Sequence, residues 1–121
     1  MKKLFATLLL LAASPASAGE KLSHGRFDDF TLERPAGAPH SFAFLFTEDG
    51  SDPRGLGRAL TQEGALVAVI DTRAFFTKME QDGGDCQFAN GDLENLSRHM
   101  QGYAQVNGYY PPILVGEGIG G

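Results

Sequence analysis

The stretch "SFAFLFT" (residues 41–47) is an almost continuous apolar run of strand length, and "ALVAVID" (65–71) repeats the pattern. A strand with one solvated face alternates apolar and polar residues. A strand covered on both faces has no reason to alternate, so such runs belong to a parallel or mixed sheet with helices above and below. "ILVG" (113–116) reads as a third buried strand of the same kind.

The segments between these runs supply helices. In "EDGSDPRGLGRALTQEG" (48–64), Asp52 is placed to cap and Pro53 fits the first helical position. Leu56, Ala59 and Leu60 form one apolar stripe, and Gly64 ends the helix. "TRAFFTKMEQ" (72–81) reads as a short helical or irregular excursion, and "DGGDCQFANG" (82–91) as a loop. Asn90 is expected to cap a longer helix with Asp92 and Glu94 in its first turn, where the helix dipole favours carboxylates. Leu93, Leu96, Met100, Tyr103 and Ala104 follow helical spacing and are expected in the core. Ahead of all this, Phe30 and Leu32 alternate with Thr31 and Glu33, which predicts a short edge strand before the Pro35-to-Pro39 turn. The expected order is β-β-α-β-α-β, an α/β layered sheet that is incomplete because no helix follows the last strand.

The first eighteen residues read as a signal peptide rather than as fold. Lys2 and Lys3 precede the apolar run Leu4–Ala13, and Ala16-Ser17-Ala18 is a small-residue cleavage site. The run is shorter than the about 20 residues a spanning helix needs. Residues 19–121 are then exported, with a periplasmic location. Two of the ten Lys+Arg leave with the signal, so eight remain against fifteen Asp+Glu, a net charge of −7. No basic cluster remains, which argues against nucleic acid as a partner. The single cysteine, Cys86, either pairs outside this chain or is a small buried residue.

The closing stretch "PPILVGEGIGG" (111–121) runs a strand into a glycine-rich turn. It satisfies G-x-G-x-x-G, but that dinucleotide fingerprint belongs in the first βα turn with an acid about 20 residues beyond it. Here two βα units precede it, so no dinucleotide cofactor is expected. Aligned instead with G-x-S-x-G, the turn takes the position of a nucleophile elbow, with Gly116 and Gly120 kept and Gly118 where the serine stands. A hydrogen atom cannot attack a carbonyl, so serine catalysis from this turn is excluded.

Taken together, "HGRFDDFTLERPAG", "SFAFLFTEDG", "VAVIDTRAFF", "DGGDCQFANGDLENLSRHMQ" and "YYPPILVGEGIGG" resemble the start of the VirJ/AcvB bacterial virulence-factor family, from about His24 to Gly121. The likeness is most specific in "IDTRAFF" and "GDCQFANGDLE" and is closest to the N-terminal VirJ-like half of AcvB-type proteins. It implies an α/β-hydrolase fold in the periplasm, with residues 19–121 as the first part of such a domain. It also implies a link to type IV secretion, and in AcvB-type members a serine hydrolysis of aminoacyl-phosphatidylglycerol. The family's oxyanion loop is typically Ser-Gly-Asp-Gly-Gly-Trp; here Thr47-Glu48-Asp49-Gly50-Ser51 keeps Asp49 and Gly50 and loses a glycine and the tryptophan. Both the nucleophile and the oxyanion donor thus depart from pattern. The expectation is a non-catalytic scaffold or binding unit whose partners are a downstream domain, an aminoacyl-phospholipid head group or secretion components. The alternatives are the front end of a lipid-head-group serine hydrolase and a secretion-associated interaction protein.

The remaining polar residues have plainer readings. His24, His40, His99 and Cys86 do not pair at metal-ligand spacing. Asp82, Asp85, Asn90 and Asp92 gather oxygens that a Ca²⁺ would accept, but turn formation and helix capping explain the same residues. Asp71 ends a strand at the edge where α/β sheets bind ligands, or serves as a cap or salt bridge near Arg73. Ser51 has no evident histidine beside it. Phe75, Phe76, Tyr109 and Tyr110 are expected to pack in the core or at the sheet edge.

Overall fold

A computed structural model describes residues 19–83 and 89–118; the expectations for residues 1–18, Asp85, Cys86 and Gly120 lie outside these. Five strands, β1 (Glu20–His24), β2 (Phe27–Glu33), β3 (Ser41–Thr47), β4 (Ala65–Asp71) and β5 (Ile113–Gly116), form one mixed sheet in the order β1-β2-β4-β3-β5. β3 runs parallel to both β4 and β5, while β1 and β2 join as antiparallel strands. The helices are α1 (Leu56–Gln62), α2 (Thr72–Asp82) and α3 (Ala89–Tyr103).

The two unbroken apolar runs are the central strands β3 and β4, because both of their faces are covered. Phe42 and Phe44 of β3 with Leu66, Ala68 and Ile70 of β4 meet Phe75 of α2 and Leu96 and Met100 of α3. The alternate residues Ala43, Leu45, Ala65, Val67 and Val69 face Leu56 and Leu60 of α1. Large side chains thus fill the side that carries two helices and small ones the side that carries one. Phe27 and Phe30 of β2 extend the larger core, and Phe27 stacks on Phe75 at 4.5 Å between centroids.

Several expectations are corrected. Phe27–Glu33 is not an edge strand: residues 20–24 pair with it on its outer side, so β1 holds the edge. Residues 72–82 form a full helix, since Asp71 accepts the Ala74 amide at 2.8 Å as the N-cap. The observed order is therefore β-β-β-α-β-α-α-β. Asp52 does hold the start of α1, accepting from the Leu56 and Gly57 amides, but Pro53 stays outside because Gly55 turns left-handed before the helix begins. Asn90 lies inside the first turn of α3, which starts one residue earlier. Tyr103 and Phe76 face solvent, as does Tyr109. β5 is not buried: it ends the sheet, and Ile113 and Leu114 are 51% and 60% exposed while Val115 alone reaches the α1-side core. Among the described residues no helix is long and apolar enough to cross a membrane.

Candidate functional site

Parallel strands present their carboxyl ends along one edge, where loops leave the sheet and ligands settle. At this edge β3 and β5 bring the Thr47–Ser51 loop and the glycine-rich turn after β5 together. Thr47, Glu48, Asp49, Ser51, Pro53 and Arg54 line one side of a cleft of about 400 Å³, and Glu117 and Gly118 line the other. The Glu117 amide donates to the Phe46 carbonyl at 2.9 Å, so the β3–β5 ladder continues into the turn and fixes Gly118 opposite the loop. Gly118 has φ of 62°, a left-handed conformation that side chains seldom adopt. A Cβ there would meet only Glu48 Oε1, at 3.9 Å.

The loop amides are spent within the loop. Gly50 N–H donates to Thr47 Oγ1 at 2.9 Å, and Ser51 N–H donates to Asp49 Oδ1 at 3.0 Å. Gly50 itself is pressed against β4: its φ is 84°, and an added Cβ would lie 3.2 Å from that of Asp71. An oxyanion donor must aim at the position where charge develops, and these two amides face their own neighbours instead. The Ser51 hydroxyl donates to Asp49 Oδ1 at 2.6 Å. That hydroxyl, and next the Ser51 amide, hold the Asp49 carboxyl below its ordinary range. A carboxylate so stabilised is a poor base, because efficient proton transfer asks for a pKa near the working pH.

Charge around the cleft is mixed. Glu48 pairs with Arg73 at the start of α2, whose amide also donates to the Glu48 carbonyl, and Glu117 lies 3.6 Å from Arg54. The Glu48 pair raises the Arg73 guanidinium further above its ordinary value. Of the residues singled out in the sequence, Asp49 and Gly118 line the cleft, Gly50 and Gly116 do not, and Gly120 lies outside the described residues; Glu48, Arg54 and Glu117 had no site role assigned. The strand ends carried the signal for where they meet, but nothing in the spacing showed which charges pair. Asp71 is engaged as the cap of α2, and Arg73 turns to Glu48 rather than to it.

The histidines lie elsewhere. His40 precedes β3 and sits at the opposite end of that strand from the cleft, while His24 and His99 stack on each other at the β1 edge of the sheet. Asp82 and Asp92, two of the four residues considered for Ca²⁺, both bind the Arg26 guanidinium, at 2.8 and 2.9 Å, while Asp85 lies outside the described residues. Among the described residues no group of three or more His, Cys, Asp or Glu converges as a metal site would. The carboxyl that burial pushes up, Glu33, stands beside Asp52 at the foot of α1 and does not line the cleft. The arrangement can bind polar groups through carboxylates and arginines, while its described hydroxyls lack a base to activate them. Comparison with family models, with curated proteins and with solved structures found no match.

Proposed function

We propose that this chain is an exported VirJ/AcvB-like unit with an α/β-hydrolase-like fold, serving as a scaffold or binding unit and not as a catalyst. One observation carries the reading: the residue fixed opposite the Thr47–Ser51 loop is Gly118, which has no side chain. The engaged Gly50 and Ser51 amides and the lowered Asp49 carboxyl support it. Binding at this edge would use Glu48, Asp49 and Glu117, which suit a ligand rich in hydrogen-bond donors or positive charge, such as the amino group of an aminoacyl-phospholipid head group. The test is incubation of the purified chain with a fluorophosphonate probe and with aminoacyl-phosphatidylglycerol. No covalent adduct and no amino-acid release are expected; either one overturns the reading.

A second reading is the front end of a periplasmic lipid-head-group serine hydrolase. The exposure of Ile113 and Leu114 on opposite sides of β5 favours it, since apolar residues open on both faces suit a strand that a further element covers. Coding sequence in frame beyond codon 121 with a G-x-S-x-G turn, followed by Asp and His, would support this reading, and a stop codon would remove its basis.

A further inference from the structure

One stripe of α3 faces the edge strand and the turn that follows it. Asp92 binds Arg26, Asn95 accepts from His24 Nε2, His99 stacks on His24, and Tyr103 donates its hydroxyl to Glu20 at 2.7 Å. The spacing 92, 95, 99, 103 keeps one helix face against the strand, and the contacts run antiparallel to β1. Every one of these contacts is polar or charged, although the rest of α3 is held by Leu96 and Met100 in the core. At the centre, the two imidazole rings lie 3.8 Å apart and within 9° of parallel. Two neutral rings meet in that geometry in close contact and without charge repulsion. Two imidazolium rings would place like charges face to face at the same distance.

We propose that the stacked pair His24–His99 is an acid-sensitive latch between edge strand β1 and helix α3, closed while the rings are neutral and opened when both carry protons.

The surroundings give a second proton little help. Asp82 of α2 and Asp92 of α3 line the same hollow as His24, and Arg26 holds both; Lys78 of α2 pairs with Asp28 of β2. On α3 itself Glu94 is paired with Arg98, and at the far end Glu20 is shared by Arg34 and Tyr103. Partial burial, and then the neighbouring His24, lower the pKa of His99. A histidine with a lowered folded pKa stabilises the closed form fully above the ordinary histidine value. That contribution is lost as pH falls from there towards the folded pKa. The latch therefore releases on acidification, in the range where histidine changes its charge. It involves no residue of the strand-end cleft, so its test is independent of the cleft's role.

Amide hydrogen exchange of α3, corrected for the intrinsic pH effect, reads the opening directly. Between about pH 8 and about pH 5, protection across residues 89–103 should fall severalfold, because facing imidazolium rings repel each other across the stack. His99→Phe keeps a ring in the stack without a titrating proton, and His24→Gln keeps a donor for Asn95; protection in each should be nearly level over the same range. NMR titration of the wild-type imidazoles should show His99 protonating below the ordinary value. Loss of protection in a variant that parallels the wild type, or wild-type protection that does not change with pH, overturns the proposal.

Discussion

Ser51 closes on Asp49: its hydroxyl and its amide both donate to the same carboxylate oxygen, at 2.6 and 3.0 Å. A serine beside an acid invites comparison with a nucleophile and its base, but the proton relation is the wrong one. The bond stabilises the ionised carboxylate, lowers its pKa and so weakens it as a proton acceptor. What the pair does is hold the loop after β3 in shape, with Gly50 tucked against Asp71.

Placing a serine hydroxyl at position 118 should therefore not create chemistry. In Gly118→Ser the new Cβ has room, with Glu48 Oε1 3.9 Å away as its nearest neighbour, and the positive φ costs about 1 kcal/mol. The variant should fold, melt slightly lower than the wild type and remain unlabelled by a fluorophosphonate, because no histidine lines the cleft among the described residues. Mass spectrometry after labelling checks this.

The sequence made the central strands legible because β3 and β4 are covered on both faces, which writes itself as "SFAFLFT" and "ALVAVID". β1 was not legible. "EKLSH" is a half-exposed edge whose strand character comes from its register with β2, such as Glu20 opposite Leu32, and not from its own residues. "ILVG" misled in the other direction: its apolar residues indicate a strand, but burial depends on what covers it. At the cleft, the loop after β3 and the turn after β5 stand out in the sequence separately, and that Asp49 and Gly118 line one cleft follows from β3 and β5 lying side by side. The pairing of Glu48 with Arg73 depends on how α2 leaves β4, and His24 contacts Asn95 across 71 residues of chain. Contacts of that reach leave no periodic trace.

Glu33 should give a stability signature of the opposite sign to the histidine latch. Burial first, and then the charge of Asp52, raise its carboxyl pKa, while Arg58 opposes the shift. An acid with a raised folded pKa contributes stability below its unfolded pKa and loses it as pH rises through the folded value. Glu33→Gln should thus be more stable than the wild type at neutral pH, by under about 1 kcal/mol given its partial exposure. The difference should shrink as pH falls towards about 4. Urea melts at the two pH values measure it.

Thr72 offers a test of core polarity. Its side chain is buried, 2% exposed, and Oγ1 has no hydrogen-bond partner among the described residues. Thr72→Val keeps the shape and removes the hydroxyl, so it should stabilise the fold by about 1 kcal/mol. A denaturant midpoint that falls would mean that the hydroxyl has a bonding role.

Gln101 carries more weight than its type suggests. It is 2% exposed on α3, and its side-chain amide acts towards Tyr110 as a neighbouring strand would. Nε2 donates to the Tyr110 carbonyl at 2.7 Å, and Oε1 accepts the Tyr110 amide at 2.9 Å. Nε2 also donates to Ser97 Oγ, which in turn meets the Tyr109 hydroxyl. The segment leading into β5 has no other described backbone bond at Tyr110, so this side chain sets where β5 begins and, through it, where Glu117 and Gly118 stand. Gln101→Leu removes both bonds while filling the space, leaving a backbone donor and acceptor unpaired at about 1–3 kcal/mol. Gln101→Glu keeps the acceptor for the Tyr110 amide but sets a carboxylate against its carbonyl, and should be worse than Leu at neutral pH and recover on acidification as the carboxyl protonates. Equal stability of the two variants across pH, measured by thermal melts, would show that the Tyr110 contacts do not hold this segment.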